Sequence, residues 1–123
     1  MSNTTMEMHP NVLSTTALIG DNVVNRAGET LGKIEELMLD VEKGRVAYAV
    51  LSFGGFMGMG EKLFAIPFEV LKLDASREHF TLDVDKDKLK NAPGFNKNNP
   101  PQASDRTWGA EVYKFYGYKP YWQ

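Results

Sequence analysis

The amino-acid sequence predicts a mainly β protein: a small six-stranded antiparallel barrel followed by a C-terminal aromatic α-helix and tail. Short segments rich in β-branched and aromatic residues recur between residues 22 and 84, separated by turn signals and without a helical period. A closed barrel would pair the edges of strands as apolar as these. After residue 85 the pattern changes, and half of the chain's aromatic residues fall between Trp108 and Trp122.

Composition and charge limit the function classes before any motif is considered. The 123 residues are enough for one domain with a single core, and 42% hydrophobic with 24% charged residues is ordinary for a soluble globular protein. A net charge of -2 without a Lys/Arg cluster argues against a nucleic-acid-binding surface. The chain has no cysteine, which excludes disulfides, thiolate chemistry and Cys-ligated zinc.

The sequence divides into four segments. Residues 1–16 are polar and aperiodic and are predicted to be a flexible N-terminal arm. They carry no secretory signal, and no stretch of the chain is apolar enough to span a membrane, so a cytoplasmic location is expected. The barrel domain is expected over 17–92, a Pro/Asn-rich linker over 93–103, and the C-terminal aromatic helix and tail over 104–123.

The six predicted strands follow one another at the spacing of an antiparallel barrel. Gly44 marks a tight hairpin turn over 42–45, because glycine supplies the positive φ that such turns need. In the last strand Phe80, Leu82 and Val84 alternate with polar residues, which predicts one buried and one solvated face. The strands are expected over residues 22–25, 32–41, 46–53, 62–67, 70–73 and 79–84.

The C-terminal segment is predicted to hold one amphipathic helix. Ser104 or Asp105 would cap its first turn, and the helix would run to Tyr116 and end at Gly117. Its apolar face is expected from residues at i, i+4 and i+7, with two tyrosines beside them: Trp108, Val112 and Phe115, then Tyr113 and Tyr116.

The blocks around a glycine-rich loop carry a resemblance to a known family. GGFMGMGEK at 54–62, followed by FAIPF at 64–68 and LKLD at 71–74, is similar to the PRC-barrel domain, which is named for the photosynthetic reaction-centre H subunit. The likeness covers about residues 18–93. Earlier blocks resemble the family's opening pattern and its central strand: LIGD at 18–21, NRAGETLGKIE at 25–35 and VAYAVL at 46–51.

The resemblance implies a six-stranded barrel without catalytic residues that serves protein–protein contact. Known members include the reaction-centre subunit, the C-terminal half of a ribosome-maturation factor, and many short stand-alone proteins. This sequence shows neither the transmembrane helix of the first nor the additional N-terminal barrel of the second. It therefore resembles the stand-alone type, for which membership indicates fold far better than function.

The glycine-rich loop at 54–60 has three interpretations. A phosphate loop is disfavoured, because Glu61 stands where that pattern needs lysine and a predicted strand follows. A membrane-dipping loop would use Phe56, Met57 and Met59, but it has few basic neighbours. The favoured interpretation is structural, with Phe56 and Met59 covering a barrel end or a partner subunit. In this interpretation Gly54 or Gly60 is expected to have a positive φ. The four structural glycines that would permit the strained connection are Gly54, Gly55, Gly58 and Gly60.

No residue pattern predicts catalysis, a metal site or a cofactor. The Asp-x-Asp-x-Asp run at 83–87 begins like a calcium loop, but Lys88 replaces the required glycine and Gly94 the bidentate glutamate. The two histidines, His9 and His79, lie in the arm and on a polar strand face, so they are not expected to form a cluster. The chain is not expected to be an enzyme.

Function is predicted from the aromatic tail, because Trp and Tyr are the residue types that anchor protein interfaces. The tail either packs onto its own barrel or docks onto a neighbouring chain, with oligomerisation slightly favoured. The expected role is a non-enzymatic, homo-oligomeric scaffold that binds itself and an unidentified protein, without nucleic acid. The candidate interaction residues are Phe56, Met57, Met59, Trp108, Val112, Tyr113, Phe115, Tyr116, Tyr118, Tyr121 and Trp122.

Two alternative functions stay open. One is a peripheral membrane adaptor that uses the loop at 54–60, and the other is an interaction module of the ribosome-maturation type. A small ligand at the barrel mouth is less favoured, because a six-stranded barrel of this size should be filled by its own side chains.

Overall fold

The structure is a computed structural model of the chain, and it describes residues 12–53, 62–74, 79–96, 101 and 106–123. Expectations that concern other residues stay predictions. They include the positive φ of the glycine-rich loop and the contacts of its apolar side chains. The residues named above that lie outside the described ranges are His9, Gly54, Gly55, Phe56, Met57, Gly58, Met59, Gly60, Glu61, Ser104 and Asp105.

The described residues form three α-helices and seven strands, with a single 3₁₀ turn at Phe68–Val70. The predicted end of the N-terminal arm at residue 16 falls inside the first helix. In chain order the elements are α1 (Thr15–Leu18), β1 (Asn22–Val24), β2 (Thr30–Asp40), β3 (Arg45–Phe53), β4 (Lys62–Ile66), β5 (Lys72–Leu73), β6 (His79–Thr81), α2 (Lys86–Lys90), β7 (Gly94–Phe95) and α3 (Arg106–Phe115).

The strands form one curled sheet, a half-barrel, in the order β5-β6-β1-β2-β3-β4-β7. A mainly β architecture is therefore confirmed. The six-strand count is not confirmed, because Gly94 and Phe95 pair with β4 and add a further strand. The all-antiparallel prediction is not confirmed either, because β1 and β6 run parallel, with Val23 opposite Phe80. Local alternation does not indicate which distant segment a strand will pair with, so the sequence pattern missed both features.

The hairpin of β2 and β3 turns tightly, as predicted from Gly44. Gly44 has a φ of 68°, and its N–H donates to the Asp40 carbonyl at 2.8 Å. The Asp40 carboxylate in turn accepts a hydrogen bond from the Lys43 N–H at 3.0 Å. These bonds hold the turn in one conformation and set the register of the two strands.

The far half of this hairpin extends beyond the neighbouring strands. Within the described sheet, β1 pairs with β2 no further than Lys33, and β4 pairs with β3 only from Ala49 onward. A register shift between Met38 and Leu39 also interrupts the β2–β3 pairing, and such bulges re-aim the side chains that follow. Leu39 and Val41 are consequently 62% and 87% exposed, although they occupy alternating apolar positions of the predicted strand.

The hydrophobic core is built from side chains of the strands, of α1 and α2, and of the segments that connect them. Leu51, Phe64 and Leu82 have no exposed surface, and neither has Leu89 of α2. Complete burial of a large apolar side chain contributes about 1.5–3 kcal/mol. The predicted alternation near residue 80 is confirmed, since Phe80 is buried with Leu82 in the same cluster.

Gly32 is required by the close approach of β2 to β3. A Cβ atom at this position would collide with the Ser52 carbonyl oxygen and would lie 3.0 Å from the Leu51 side chain. Glycine alone leaves the two backbones this close. The glycine of the LGKI block is therefore a packing residue and not a turn residue.

Candidate functional site

Helix α3 is fixed against the sheet by one buried tyrosine. Tyr113 is 1% exposed, and its hydroxyl donates to the Ala47 carbonyl of β3 at 2.7 Å. Burial raises the pKa of Tyr113 to about 12, so the hydroxyl stays a donor at neutral pH. Val112 beside it is also buried. The buried face of α3 is centred on these two residues, whereas the sequence pattern placed Tyr113 at its flank.

Trp108 joins α3 to two strands. Its ring makes edge-to-face contacts with Tyr48 of β3 and Phe95 of β7, at centroid distances of 5.9 and 6.1 Å. At the other end of the helix, Phe115 and Tyr116 pack against the core cluster. The structure therefore has the first of the two predicted arrangements, in which the helix packs on its own chain. Docking onto a neighbouring chain stays a prediction.

A glycine turn ends α3 and reverses the chain, as predicted from Gly117. Gly117 has a φ of 81°, and its N–H donates to the Lys114 carbonyl at 2.9 Å. The Tyr118 N–H donates to the Tyr113 carbonyl at 3.0 Å. This pair of bonds is a Schellman motif, whose left-handed residue strongly favours glycine. The last residues of the chain are thereby directed back toward the helix.

The returning tail stacks its rings against Tyr113. Tyr121 and Trp122 lie edge-to-face with it at centroid distances of 5.9 and 5.6 Å, and with each other at 5.1 Å. Gly109 leaves room for the indole, because a Cβ there would lie 3.0 Å from its Cη2 atom. Residues 106–123, the helix and the tail together, are called the aromatic cover below.

A hydrogen bond ties the tail to the hairpin, since the Tyr121 hydroxyl donates to the Asp40 carboxylate. This bond, with the one from the Lys43 N–H, lowers the pKa of Asp40. Burial, followed by the hydrogen bond to Asp40, raises the pKa of Tyr121. Asp40 is therefore an anion at neutral pH and Tyr121 a neutral donor.

Two arginines pack on the rings of the tail. The Arg45 guanidinium lies 3.9 Å from the centroid of the Tyr121 ring, and that of Arg106 lies 4.9 Å from the Trp122 ring. Contacts of this kind contribute about 0.5–1 kcal/mol at exposed sites. Arg106 also lies 4.0 Å from the Glu42 carboxylate, in a pair whose side chains are 47% and 83% exposed. Water screens such a pair, so it contributes little to stability.

A groove of about 310 Å³ lies between the hairpin and the aromatic cover. Cavities that bind small ligands or single side chains begin at about this size. Among the described residues, Asp40 is the only acidic one in its lining, and five of the thirteen lining residues are aromatic. The aromatic groove, as it is called below, is lined chiefly by Met38, Tyr48, Trp108, Tyr113, Tyr121 and Trp122.

The hairpin tip, defined as residues 39–45, forms one rim of the aromatic groove. Leu39 and Val41 line the groove at this rim, and both are largely exposed. Together with the groove, these exposed aliphatic side chains make a largely apolar patch that includes the charged Asp40 and Arg106. Such patches mark contact sites on protein surfaces more often than isolated exposed residues do.

The structure divides the predicted tail residues into three sets. Five of them line the aromatic groove, and two pack against the core. Tyr118 is 37% exposed and lies outside the groove lining. The groove residues are Trp108, Val112, Tyr113, Tyr121 and Trp122, and the core-packed pair is Phe115 and Tyr116.

The acidic and histidine positions considered for metal binding have local partners. Asp83 lies 3.3 Å from Arg26, and the Asp85 carboxylate caps α2. His79 lies 3.7 Å from Asp74. In the part of the chain that the structure describes, no group of three or more His, Cys, Asp or Glu side chains could hold a metal ion.

The strands that flank the glycine-rich loop are antiparallel neighbours, with Phe53 opposite Lys62. The loop therefore connects two strands, and this is the context that argued against a phosphate loop. The helices of the described ranges are too short or too polar to cross a membrane.

Comparison with known families agrees with this architecture. The family model of the PRC-barrel domain matches residues 10–89. The chain belongs to the PRC-barrel family. This confirms the resemblance found in the sequence. The PRC-barrel match ends within α2, so β7 and the aromatic cover lie beyond it.

Two individual proteins resemble this PRC-barrel chain over part of their length. A pentatricopeptide repeat-containing protein of Arabidopsis thaliana is 33% identical over 113 residues, which cover 81% of this chain and 23% of that protein. This chain therefore spans about a quarter of that relative. A solved structure of RimM, a 16S ribosomal RNA processing protein of Pseudomonas aeruginosa, is 19% identical with a TM-score of 0.42, covering 61% of this chain and 45% of that one.

The aromatic groove crosses the boundary of the PRC-barrel match. Asp40 and Tyr48 belong to the matched domain, whereas Trp108, Tyr113 and Trp122 belong to the segment that follows it. The PRC-barrel domain alone would supply one wall of the groove.

Sequence reasoning did not identify the residues of the hairpin tip as part of the site. Leu39, Asp40 and Val41 belong to a segment predicted as a plain strand, and Arg45 belongs to the predicted turn at 42–45. One signal was present, because the predicted strands at 32–41 and 46–53 are longer than their neighbours. A hairpin of longer strands must project beyond the sheet, and its end is then free to contact other elements.

Proposed function

We propose that this PRC-barrel chain is a non-catalytic protein-binding module, and that the aromatic groove is its contact surface. The observation that carries the proposal is the largely apolar patch formed by the groove and by the exposed Leu39 and Val41 of its rim. The proposed role is that of the cytoplasmic, homo-oligomeric scaffold predicted from the sequence, with the aromatic groove as the surface that binds its partner.

The composition of the groove supports protein binding. Tyr and Trp supply large contact areas with little conformational freedom to lose, and they dominate the binding energy of protein interfaces. In this groove they are held in place before any partner arrives, by the Tyr113 and Tyr121 hydrogen bonds and by the two arginines. A preformed surface loses less entropy on binding.

The alternatives receive less support from the described residues. The membrane-adaptor alternative depends on the loop at 54–60, which lies outside them. Ribosomal RNA processing is the role given for RimM, and a structural likeness with a TM-score of 0.42 is too low to assign that role to this chain.

Affinity capture with paired variants tests the proposal. Full-length bait carrying Trp122→Ala removes one wall of the aromatic groove, and Tyr118→Ala is the matched control, because it removes a tail aromatic outside the groove. Circular dichroism first establishes that both variants are folded. We expect proteins that bind the wild type and the Tyr118→Ala bait equally and the Trp122→Ala bait at least several-fold less. No bound protein, or the same set on all three baits, would contradict the proposal.

A further inference from the structure

We infer that the protein bound by the aromatic groove is a second copy of this chain, whose hairpin tip inserts Val41 and Leu39 into the groove. The inference rests on the proposed function and adds to it the identity of the partner and the contact. In such a dimer the hairpin tip of each copy occupies the aromatic groove of the other copy.

The hairpin tip has the form of a preorganised knob. Val41 is 87% exposed at the first position after β2, and Leu39 is 62% exposed two residues earlier. The turn that carries Val41 is held by the bonds from Lys43 and Gly44 to Asp40. A branched aliphatic side chain on a rigid turn loses little entropy on insertion into a cavity.

The receiving cavity lies on the same surface as the knob. The groove of about 310 Å³ has Leu39 and Val41 at its own rim, so knob and cavity are adjacent on one chain. A two-fold axis next to such a surface brings each knob to the other copy's cavity. The result is an isologous contact that closes at two copies and leaves no unfilled site for a third.

The charges around the groove are compatible with self-association. The tip and the facing helix carry both signs, with Asp40 and Glu42 against Lys43, Arg45 and Arg106. Like-charge repulsion between two copies is therefore small. The solvent-exposed pair of Glu42 and Arg106 joins the tip to the groove rim within one chain, and the same tip-to-rim pair can form between two copies.

Sedimentation of the full-length chain tests this contact. The wild type is expected to form dimers as its concentration rises from micromolar toward millimolar. Val41→Glu is expected to raise the dimer dissociation constant by roughly tenfold or more, because it places a charge in an apolar groove. Val12→Glu is the matched control, because Val12 is 77% exposed but does not line the groove. The dimer dissociation constant of this variant should equal that of the wild type.

A mixing experiment tests the tip-to-rim pairing between copies. Glu42→Arg and Arg106→Glu each break the pair within a chain and place like charges against each other in a homodimer. In a mixture of the two variants both pairs between copies are restored, while the pair within each chain stays broken. We expect the mixture to dimerise several-fold more tightly than either variant alone.

The outcomes separate this inference from the proposed function. A monomeric wild type at every concentration, a dimer unaffected by Val41→Glu, or a mixture no tighter than its parts would overturn the inference. The proposed function would still stand if a different protein were captured by the wild type and lost with Trp122→Ala. It fails when no protein, including an untagged copy of the chain, depends on the groove.

Discussion

The barrel core and the aromatic cover are held in place by different kinds of contact. In the core, Leu51, Phe64 and Leu82 are fully buried, and their contacts are apolar and without a required direction. In the cover, the Tyr113 and Tyr121 hydroxyls each make a hydrogen bond to the hairpin, and arginines pack on two of the rings. The core therefore supplies most of the stability, and the cover supplies a defined position.

Two spectroscopic probes distinguish the cover from the chain as a whole. The chain has two tryptophans, Trp108 and Trp122, and both belong to the aromatic cover. Tryptophan fluorescence therefore follows the cover, whereas far-ultraviolet circular dichroism reports the whole backbone, sheet and helices together. Coincidence of the two unfolding curves tests whether core and cover unfold as one unit.

The largest expected effect comes from the core. Phe64→Ala removes a fully buried ring that also contacts Phe53 edge-to-face, and should lower the free energy of unfolding by about 3–5 kcal/mol. Urea unfolding should show both probes shifted, because the cover loses the sheet on which it packs. The matched control is Leu39→Ala, which truncates an exposed side chain and should change stability by less than about 0.5 kcal/mol. Equal effects of the two variants would contradict this account of the core.

A smaller effect is expected where the cover meets the hairpin. Tyr113→Phe keeps the ring but leaves the Ala47 carbonyl without its side-chain donor, which should cost about 1–2 kcal/mol. The fluorescence transition should move further than the circular dichroism transition, because the lost bond holds the cover. Identical shifts would show that cover and core are one cooperative unit.

The same variant has an expected signature in alkali. The pKa of Tyr113 is raised to about 12, so its contribution to stability is complete below the ordinary tyrosine pKa near 10. That contribution is lost as the pH rises from there through about 12. Tyr113→Phe should therefore lose less stability than the wild type over this interval in thermal melts. A parallel decline of the two proteins would rule out this assignment.

Disturbing the glycine turn between α3 and the tail should lower the free energy of unfolding by about as much as the loss of one hydrogen bond does. Gly117→Ala places a side chain at a φ of 81°, and this should cost about 1 kcal/mol. No atom lies within 4 Å of the added Cβ, so the cost is conformational and not a clash. Lys114→Ala on the exposed side of the helix serves as the control. A Gly117→Ala variant as stable as this control would argue against the glycine turn.

The smallest effect is a pH dependence at the bond between tail and hairpin. The pKa of Asp40 is lowered chiefly by the Tyr121 hydroxyl, so its stabilising effect is present above the unfolded value near 4. This contribution to stability is lost as the pH falls through the pKa of Asp40 in the folded protein, which is lower than the unfolded value. The difference in melting temperature between the wild type and Asp40→Asn should therefore be small at neutral pH and vanish in acid. In a Tyr121→Phe background the difference at neutral pH should be reduced.

Local chemistry in the sequence was enough to predict the turns and the alternation. Gly44 and Gly117 have the positive φ that each turn requires, and Phe80 and Leu82 point into the core as the period of two indicates. These features depend on a few neighbouring residues, so a single sequence contains the information.

Features that depend on distant contacts were missed for the same physical reason. The parallel pairing of β1 with β6 joins segments at opposite ends of the domain, and the bulge after Met38 re-aims Leu39 away from the sheet. On α3 the spacing of Trp108, Val112 and Phe115 fits an apolar face, but Tyr113 next to it is more deeply buried than Trp108 or Phe115. Helical periodicity indicates only roughly which side of α3 is buried. The hydrogen bond from Tyr113 to Ala47 then fixes the rotation of the helix against the sheet.

The position of the aromatic cover after the hairpin in the sequence also sets an order of events during synthesis. The β2–β3 hairpin closes through a short turn and can form early, because short loops lose little entropy on closing. The groove is complete only after Trp122 has been added, since the tail supplies one of its walls. A growing chain thus exposes Val41 before its own groove is finished.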